Sequence, residues 1–257
     1  MKEFLSRSGV DYTERNVSLD PSARQEAKTL SLRSTPATVI DGKAILGFSP
    51  NEVSKALDLG IHVDPSQSPE DLMRLIPRLL EACIACDRQL PDAYMETPTL
   101  DGSRTMVKLA PHTIETVDMI MTRISTLKMP EPSRRAWSSF SEIADYGERV
   151  LARWREWAPK QSVADLKAQP PEGSVAWHYS GSRSGYEFLD YIGNHTTHHL
   201  RQFYFAMDKL GVPPIVRIPD ADLPPEYVQT IVVAEEPERV RVAQPAQEGQ
   251  AKTAKAG

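Results

Sequence analysis

The segment 194-NHTTHHLRQF-203 places three histidines within five residues, followed directly by an arginine and a glutamine. The chain has six histidines in all, so half of them fall in little more than one helical turn. His195 and His199 stand at i and i+4, a spacing that makes side chains neighbours on a helix surface. Two imidazoles so placed can reach one metal ion at the roughly 2.0–2.1 Å that Zn–N bonds require. The same two residues continue a stripe of Leu189, Ile192, Phe203, Ala206 and Leu210 in steps of three and four, the core face of a helix. Bare imidazole nitrogens in an apolar seam cost free energy unless something partners them. A metal would partner them, and so would hydrogen bonds to each ring; the spacing leaves both open. His198 lies about 100° round the helix from His199 and faces a neighbour or solvent.

A third ligand has to come from elsewhere, and the best candidate is His112, in 110-APHTIETVD-118. Two histidines from one helix and one from another leave a coordination position open, as catalytic zinc sites do. His62 and His178 fall in an expected linker and an expected loop and read as ordinary polar residues. Glu115 and Asp118 follow His112 by three and six residues, where either could orient a ligand ring. The default for both is exposed helix charge, as it is for Glu187 and Asp190.

The elements that must position these residues are helices. Ser68-Pro69-Glu70-Asp71 opens a helix running to about Leu90, with a bend at Pro77. Further helices are expected at about 103–127, 133–157 and 184–210, the last closed by Gly211 with Pro213 and Pro214 behind it. Trp137, Trp154 and Trp157 fall on the third of these and suit packing between helices. Four helices of similar length suggest a four-helix bundle. The pair 83-CIAC-86 lies on the stripe Leu72, Ile76, Leu79, Cys83, Cys86, Leu90. A redox C-x-x-C gains its low pKa at a helix N-terminus, and this one is mid-helix, so core packing is the reading.

The first 60 residues have a different texture. VDYTERNVSL alternates like a strand, Asp20-Pro21 starts a helix, Asp41-Gly42 sits between two short apolar runs as a hairpin turn, and SPNEVSKALDL reads as a closing helix. The chain of 257 residues has a net charge of −5, which argues against sequence-independent nucleic-acid binding. No apolar run reaches the roughly 18–20 residues of a membrane span, and the N-terminus has no apolar signal core. A cytoplasmic location without membrane or nucleic-acid partners is expected. Two cysteines make no disulfide framework.

His112, then 195-HTTHHLRQ-202, then 207-MDKLGVPP-214 together resemble the DinB-like superfamily over about 68–215. The resemblance implies a four-helix bundle holding a divalent metal, often zinc or nickel, on three histidines, here His112, His195 and His199. It also implies thiol chemistry, since characterised members include thiol S-transferases and a thiol-dependent isomerase. Arg201 would then bind the carboxylate of a peptide-like thiol; a surface salt bridge is the plainer alternative. The family often has a glycine between the arginine and the glutamine, whereas Arg201 and Gln202 are adjacent.

KEFLSRSGVDY, NVSLDP, 34-STPATVIDG-42 and 47-GFSP-50 resemble the glutaredoxin family. That resemblance implies a cis proline at Pro36 and a thiol-binding backbone at Thr35 and Pro36. The family's first strand and its C-x-x-C have no counterpart here. Either the unit binds or supports without redox chemistry, or the true start lies upstream.

The fold class expected is therefore α+β in two domains: a truncated thioredoxin-like (glutaredoxin) α/β unit at 1–60, a linker at 61–67, and an all-α four-helix bundle at 68–215. An extension at 216–234 and a disordered tail at 235–257 follow. The function expected is divalent-metal-dependent transfer of a low-molecular-weight thiol onto an electrophile, in detoxification or stress. The alternatives are a glutaredoxin-type thiol-disulfide oxidoreductase with a misassigned start, and a non-enzymatic metal-binding or homodimerising module.

Overall fold

The computed structural model describes residues 1–17, 20–30, 32, 37–46, 50–99, 104–128, 130–131, 133, 135–171 and 183–228. These are mostly helical, with a small two-stranded sheet near the N-terminus. In chain order they form α1 (Lys2–Arg7), α2 (Pro21–Thr29), β1 (Ala37–Ile40), β2 (Lys43–Leu46) and α3 (Pro50–Ala56). Then come α4 (Pro69–Gln89), α5 (Met106–Thr126), α6 (Phe140–Trp157), α7 (Val163–Lys167), α8 (Gly185–Lys209) and α9 (Pro225–Val228). Among the described residues no helix is long and apolar enough to cross a membrane.

Local chemistry explains most boundaries. Asp20 caps α2, its Oδ1 accepting from the Ser22 N–H at 2.8 Å. β1 and β2 pair antiparallel, Ala37 opposite Leu46 and Ile40 opposite Lys43. Asp41 and Gly42 both take positive φ, 49° and 75°, as a two-residue hairpin turn of matching twist requires. α8 ends at Gly211 (φ 74°), where the Val212 N–H donates to the Met207 carbonyl at 3.0 Å. That six-to-one bond satisfies a carbonyl the helix leaves open.

The structure differs from the sequence reading in three places. Residues 10–17 form no strand: among the described residues β1 and β2 pair only with each other, and an extended segment without a ladder partner is not one. The third long helix begins at Phe140, not near 133. The Ser139 Oγ accepts from the Glu142 N–H at 3.0 Å while the Glu142 carboxylate accepts from the Ser138 N–H and Oγ at 2.9 and 2.8 Å. These bonds fix the helix start there. Trp137 therefore precedes α6, with Arg135 over its ring and Tyr146 beside it. Third, α7 and α9 have no counterpart among the helices expected from the sequence. Thr35, Pro36, His178, most of the expected 169–185 loop, the strand that the apolar run 228-VQTIVVA-234 suggests beyond Val228, and the tail lie outside the described residues.

The chain divides into two compact units, each taking parts of the long helices. The first comprises residues 1–77, 115–134 and 152–193. Leu5, Ile45 and Val53 form a small core there, with Met1, Phe4, Val10, Ile40 and Leu57 packed on it. Farther along, the buried Arg123 lies over the Phe188 ring and Trp154 packs beside Trp157. Ser184 and Glu187 form a reciprocal cap at the start of α8, and Asn51 on α3 donates to Glu187 at 2.9 Å.

The second unit comprises 78–114, 135–151 and the chain from Asn194 onward. Its core draws Leu79, Leu80, Cys83 and Cys86 from α4, Leu109 and Ile114 from α5, Phe140 and Ile143 from α6, and Leu200 and Phe203 from α8. Asp87 is buried in it too. Burial holds its carboxyl well above the usual carboxylate range, against the pull of Arg88. Gly147 on α6 shows how closely the helices meet. A Cβ at that position would stand 2.7 Å from Ile84 Cγ1 and 3.0 Å from Ile114 Cδ1.

Alanine normally stabilises a helix interior relative to glycine by about 1 kcal/mol. At Gly147 overpacking reverses the sign, and Gly147→Ala lowers unfolding stability by about 1 kcal/mol or more. Urea denaturation checks this; an unchanged or raised midpoint would mean the helices do not meet there.

Candidate metal centre

His112 comes from α5, and His195 and His199 from α8. Pro111 lies inside α5 immediately before His112. It can donate no backbone bond, so the Val107 carbonyl loses its i+4 partner beside the ligand position. Leu109 and Ala110 on one side of His112 and Thr113 on the other are buried, and the Thr113 hydroxyl donates to the Ala110 carbonyl at 2.8 Å. Between the two α8 histidines, Thr196 and Thr197 are buried.

The three rings converge. Ring centroids lie 4.9 Å apart for His112 and His195, 5.1 Å for His112 and His199, and 4.5 Å for His195 and His199. The planes stand at 70–78° to one another, so the rings meet edge to face. One nitrogen from each lies within 4.8 Å of the other two. Nitrogens bonded to one tetrahedral zinc at 2.0–2.1 Å stand about 3.3 Å apart, so small rotations of half-buried rings complete such a site.

The electrostatics favour ligation. Burial is the main cause that pushes His112 down to about 4, with the positive charge of Arg104 adding to it. Burial likewise brings His199 down to about 3, followed by repulsion from His112 and opposed by the bond to Gln202. His195 is held well below the ordinary histidine value, again by burial first and then by His199 and His112. All three are therefore neutral imidazoles at pH 7, the form that binds metal. Gln202 Oε1 lies 2.7 Å from His199 Nδ1. With Oε1 accepting, Nδ1 carries the proton and Nε2 keeps its lone pair for a ligand.

His198 stays outside the group, its ring 5.1 Å from that of His199. Arg201 sits two residues beyond His199, about 200° round the helix. Its guanidinium donates to the Val228 carbonyl at 3.2 Å and to Asp220 at 3.3 Å. His62 is exposed and pairs with Asp64 at 3.2 Å. Asp118 pairs with Arg153, and burial raises the carboxyl of Glu115, which Ser133 partly offsets. Cys83 and Cys86 are free thiols in the core. Burial first, and then repulsion from the Asp87 side chain, push the Cys83 thiol up to about 12; burial first, and then the neighbouring Cys83 side chain, raise Cys86 as well. Neither is a nucleophile at neutral pH.

Two residues escaped the sequence reading. Gln202 stands at i+3 from His199, a spacing that signals a helix-surface pair. Arg104 has no such signal. It precedes α5, where the Thr99 N–H and hydroxyl donate to its carbonyl at 2.9 and 3.1 Å, and its charge reaches all three histidines.

Comparison with known proteins gives two family matches and one similar protein. The DinB superfamily matches residues 60–203, more than half of the chain, and the glutaredoxin family matches residues 1–45. An uncharacterized glutaredoxin-like 8.6 kDa protein from the rubredoxin operon of Clostridium pasteurianum is 36% identical over 58 residues. That alignment covers 22% of this chain and 77% of the relative. The chain belongs to the DinB superfamily and carries a glutaredoxin-like region at its N-terminus.

The depressed histidines set a pH dependence for the metal-free chain. Unfolded, each imidazole titrates near 6.5; folded, His112 and His199 titrate near 4 and 3. The unfolded state therefore binds more protons between those values, and the stability present above about pH 6.5 is lost as pH falls towards 4. Urea midpoints of the metal-free chain fall from pH 7 to pH 5, and His199→Gln falls less steeply. Identical slopes in the two proteins would contradict the buried neutral triad.

Proposed function

We propose that this DinB superfamily chain is a metal-dependent thiol S-transferase, in which a four-helix bundle built from α4, α5, α6 and α8 holds a divalent ion on His112, His195 and His199. The observation that carries this reading is the convergence of three neutral imidazoles, with one nitrogen of each within 4.8 Å of the others. Three protein ligands leave a position open for a co-substrate. Zinc and nickel both suit imidazole donors. The bound ion would supply Lewis acidity, keeping a thiol ionised near neutral pH.

The protein's own groups do the rest. Gln202 holds the His199 tautomer and ring orientation through its 2.7 Å bond. Arg104 adds positive charge beside the triad, which favours an anionic sulfur over a neutral one. Arg201 takes a carboxylate of the thiol; for the glutaredoxin-like region the family resemblance implies a separate thiol-binding role at Thr35 and Pro36. The sulfur attacks an electrophilic carbon: a C–S bond forms, the bond to the leaving group breaks, and the leaving group departs with its electron pair. The thiol proton passes to solvent. Such a reaction conjugates reactive electrophiles with a small cytoplasmic thiol, a detoxification chemistry. The glutaredoxin-like region supports the reading because its relatives are named for the same class of small thiol.

The test uses chain loaded with zinc or with nickel, a panel of low-molecular-weight thiols beginning with cysteine and glutathione, and monochlorobimane as electrophile. The expected result is conjugation above the uncatalysed rate with at least one thiol, abolished by chelation and restored by metal. His112→Gln lowers kcat/KM at least about tenfold, and Gln202→Ala by a smaller factor. Conjugation indifferent to chelator and to His112→Gln would overturn the proposal.

A further inference from the structure

A concavity lies in the same unit as the triad, and none of the three histidines lines it. It has a volume of about 230 Å³ and is lined by Arg201, Tyr204, Arg217, Ile218, Pro219 and Asp220. Pockets for drug-sized ligands run to roughly 300–1,000 Å³, so this one fits a fragment or one end of a longer molecule.

Its walls carry a specific set of charges. Two guanidinium groups, of Arg201 and Arg217, face one small space together with one carboxylate, that of Asp220. Each charge is held in place. The Arg201 side chain is only 11% exposed and is fixed between the Val228 carbonyl at 3.2 Å and Asp220 at 3.3 Å. Arg217 lies over the Tyr204 ring, 4.9 Å from its centroid, and pairs with Asp208 at 2.6 Å. The Tyr204 hydroxyl accepts from the Ile218 N–H at 3.1 Å, which ties the ring to the segment that carries Arg217 and Ile218. Ile218, Pro219 and the Tyr204 ring are apolar surfaces between the charges.

Guanidinium groups recognise carboxylates with directional, charge-assisted bonds, and a carboxylate does the same for an ammonium. A ligand with an anion alone would meet Asp220; one with a cation alone would meet two arginines. A molecule with both charges on neighbouring atoms satisfies the set.

We propose that this cavity is a subsite for the free α-amino-acid end of a ligand, its carboxylate on Arg201 and Arg217 and its ammonium on Asp220, with a short aliphatic stem against Ile218 and Pro219. It deepens the functional reading above by naming the kind of thiol: one that carries an unblocked amino-acid end. It rests on that reading only for the remainder of the ligand.

The experiment measures binding of L-2-aminobutyrate, butyrate and butylamine to the full chain by ligand-observed NMR. None has a thiol, and the chain is first stripped of metal by dialysis against a chelator, so that no ion holds the amino acid through its amine and carboxylate. L-2-aminobutyrate is expected to bind saturably, with butyrate and butylamine weaker. Arg217→Gln and Asp220→Asn are each expected to weaken it about tenfold, the effect of losing one charge-assisted bond. Both side chains are about half exposed (46% and 60%), and far-UV circular dichroism checks that the variants stay folded. His199→Ala is expected to bind L-2-aminobutyrate as the wild type does. If that holds while thiol turnover is absent, the subsite stands and the transferase reading fails. Butyrate binding as tightly as L-2-aminobutyrate, equal affinity in both folded charge variants, or no saturable binding at all would overturn the subsite.

Discussion

Three imidazoles share one partly dehydrated space between two helices, and much of the second unit is arranged around that fact. An imidazole removed from water loses its charge before it loses its place. His112 and His199 have dropped to about 4 and 3, and His195 lies well below the ordinary value. Neutrality makes the group tolerable and leaves each ring in the form that binds metal. It leaves ring nitrogens converging, and the positive charge of Arg104 disfavours a further proton on any of the three.

The packing that surrounds the triad is tight for the same reason. Gly147 lets α6 approach the α4 and α5 side chains more closely than any other residue would allow. Cys83 and Cys86 fill the α4 contribution as small apolar groups, and Asp87 is buried beside them with its carboxyl pushed up by burial. Such a core has little freedom to relax, which holds His112 on α5 at a fixed height against the α8 pair. α8 itself is pinned at both ends, by the Ser184–Glu187 cap and by the bond from Val212 to Met207. Its register, and with it the position of His195 and His199, follows from those ends.

The sequence carried the parts of this that are periodic or local. His195 and His199 announce themselves by spacing, Asp41-Gly42 by turn chemistry, and Gly211 by the end of an apolar stripe. The choice of His112 needed the elimination of other histidines as well as a resemblance, because α5 is apolar on several sides and its facing cannot be read from period alone. The strand expected at 10–19 is absent over its described residues, 10–17, because alternation says nothing about whether a partner strand exists. Trp137 was assigned to a helix because the capping serines, 138-SS-139, look unremarkable until Glu142 is seen to fold back on them. Arg104 could not be found from spacing at all. It acts on residues 8 to 95 positions away, through a loop geometry set by Thr99.

The account rests on one claim, that the converging imidazoles hold a divalent ion. Metal content by mass spectrometry, on chain purified without a histidine tag, tests it most directly when wild type and His199→Ala are compared. The account predicts close to one zinc or nickel per wild-type chain and almost none in the variant, with both proteins folded. Equal metal in the two, or no metal in the wild type after incubation with zinc and with nickel, would contradict it and leave the histidines as polar core residues.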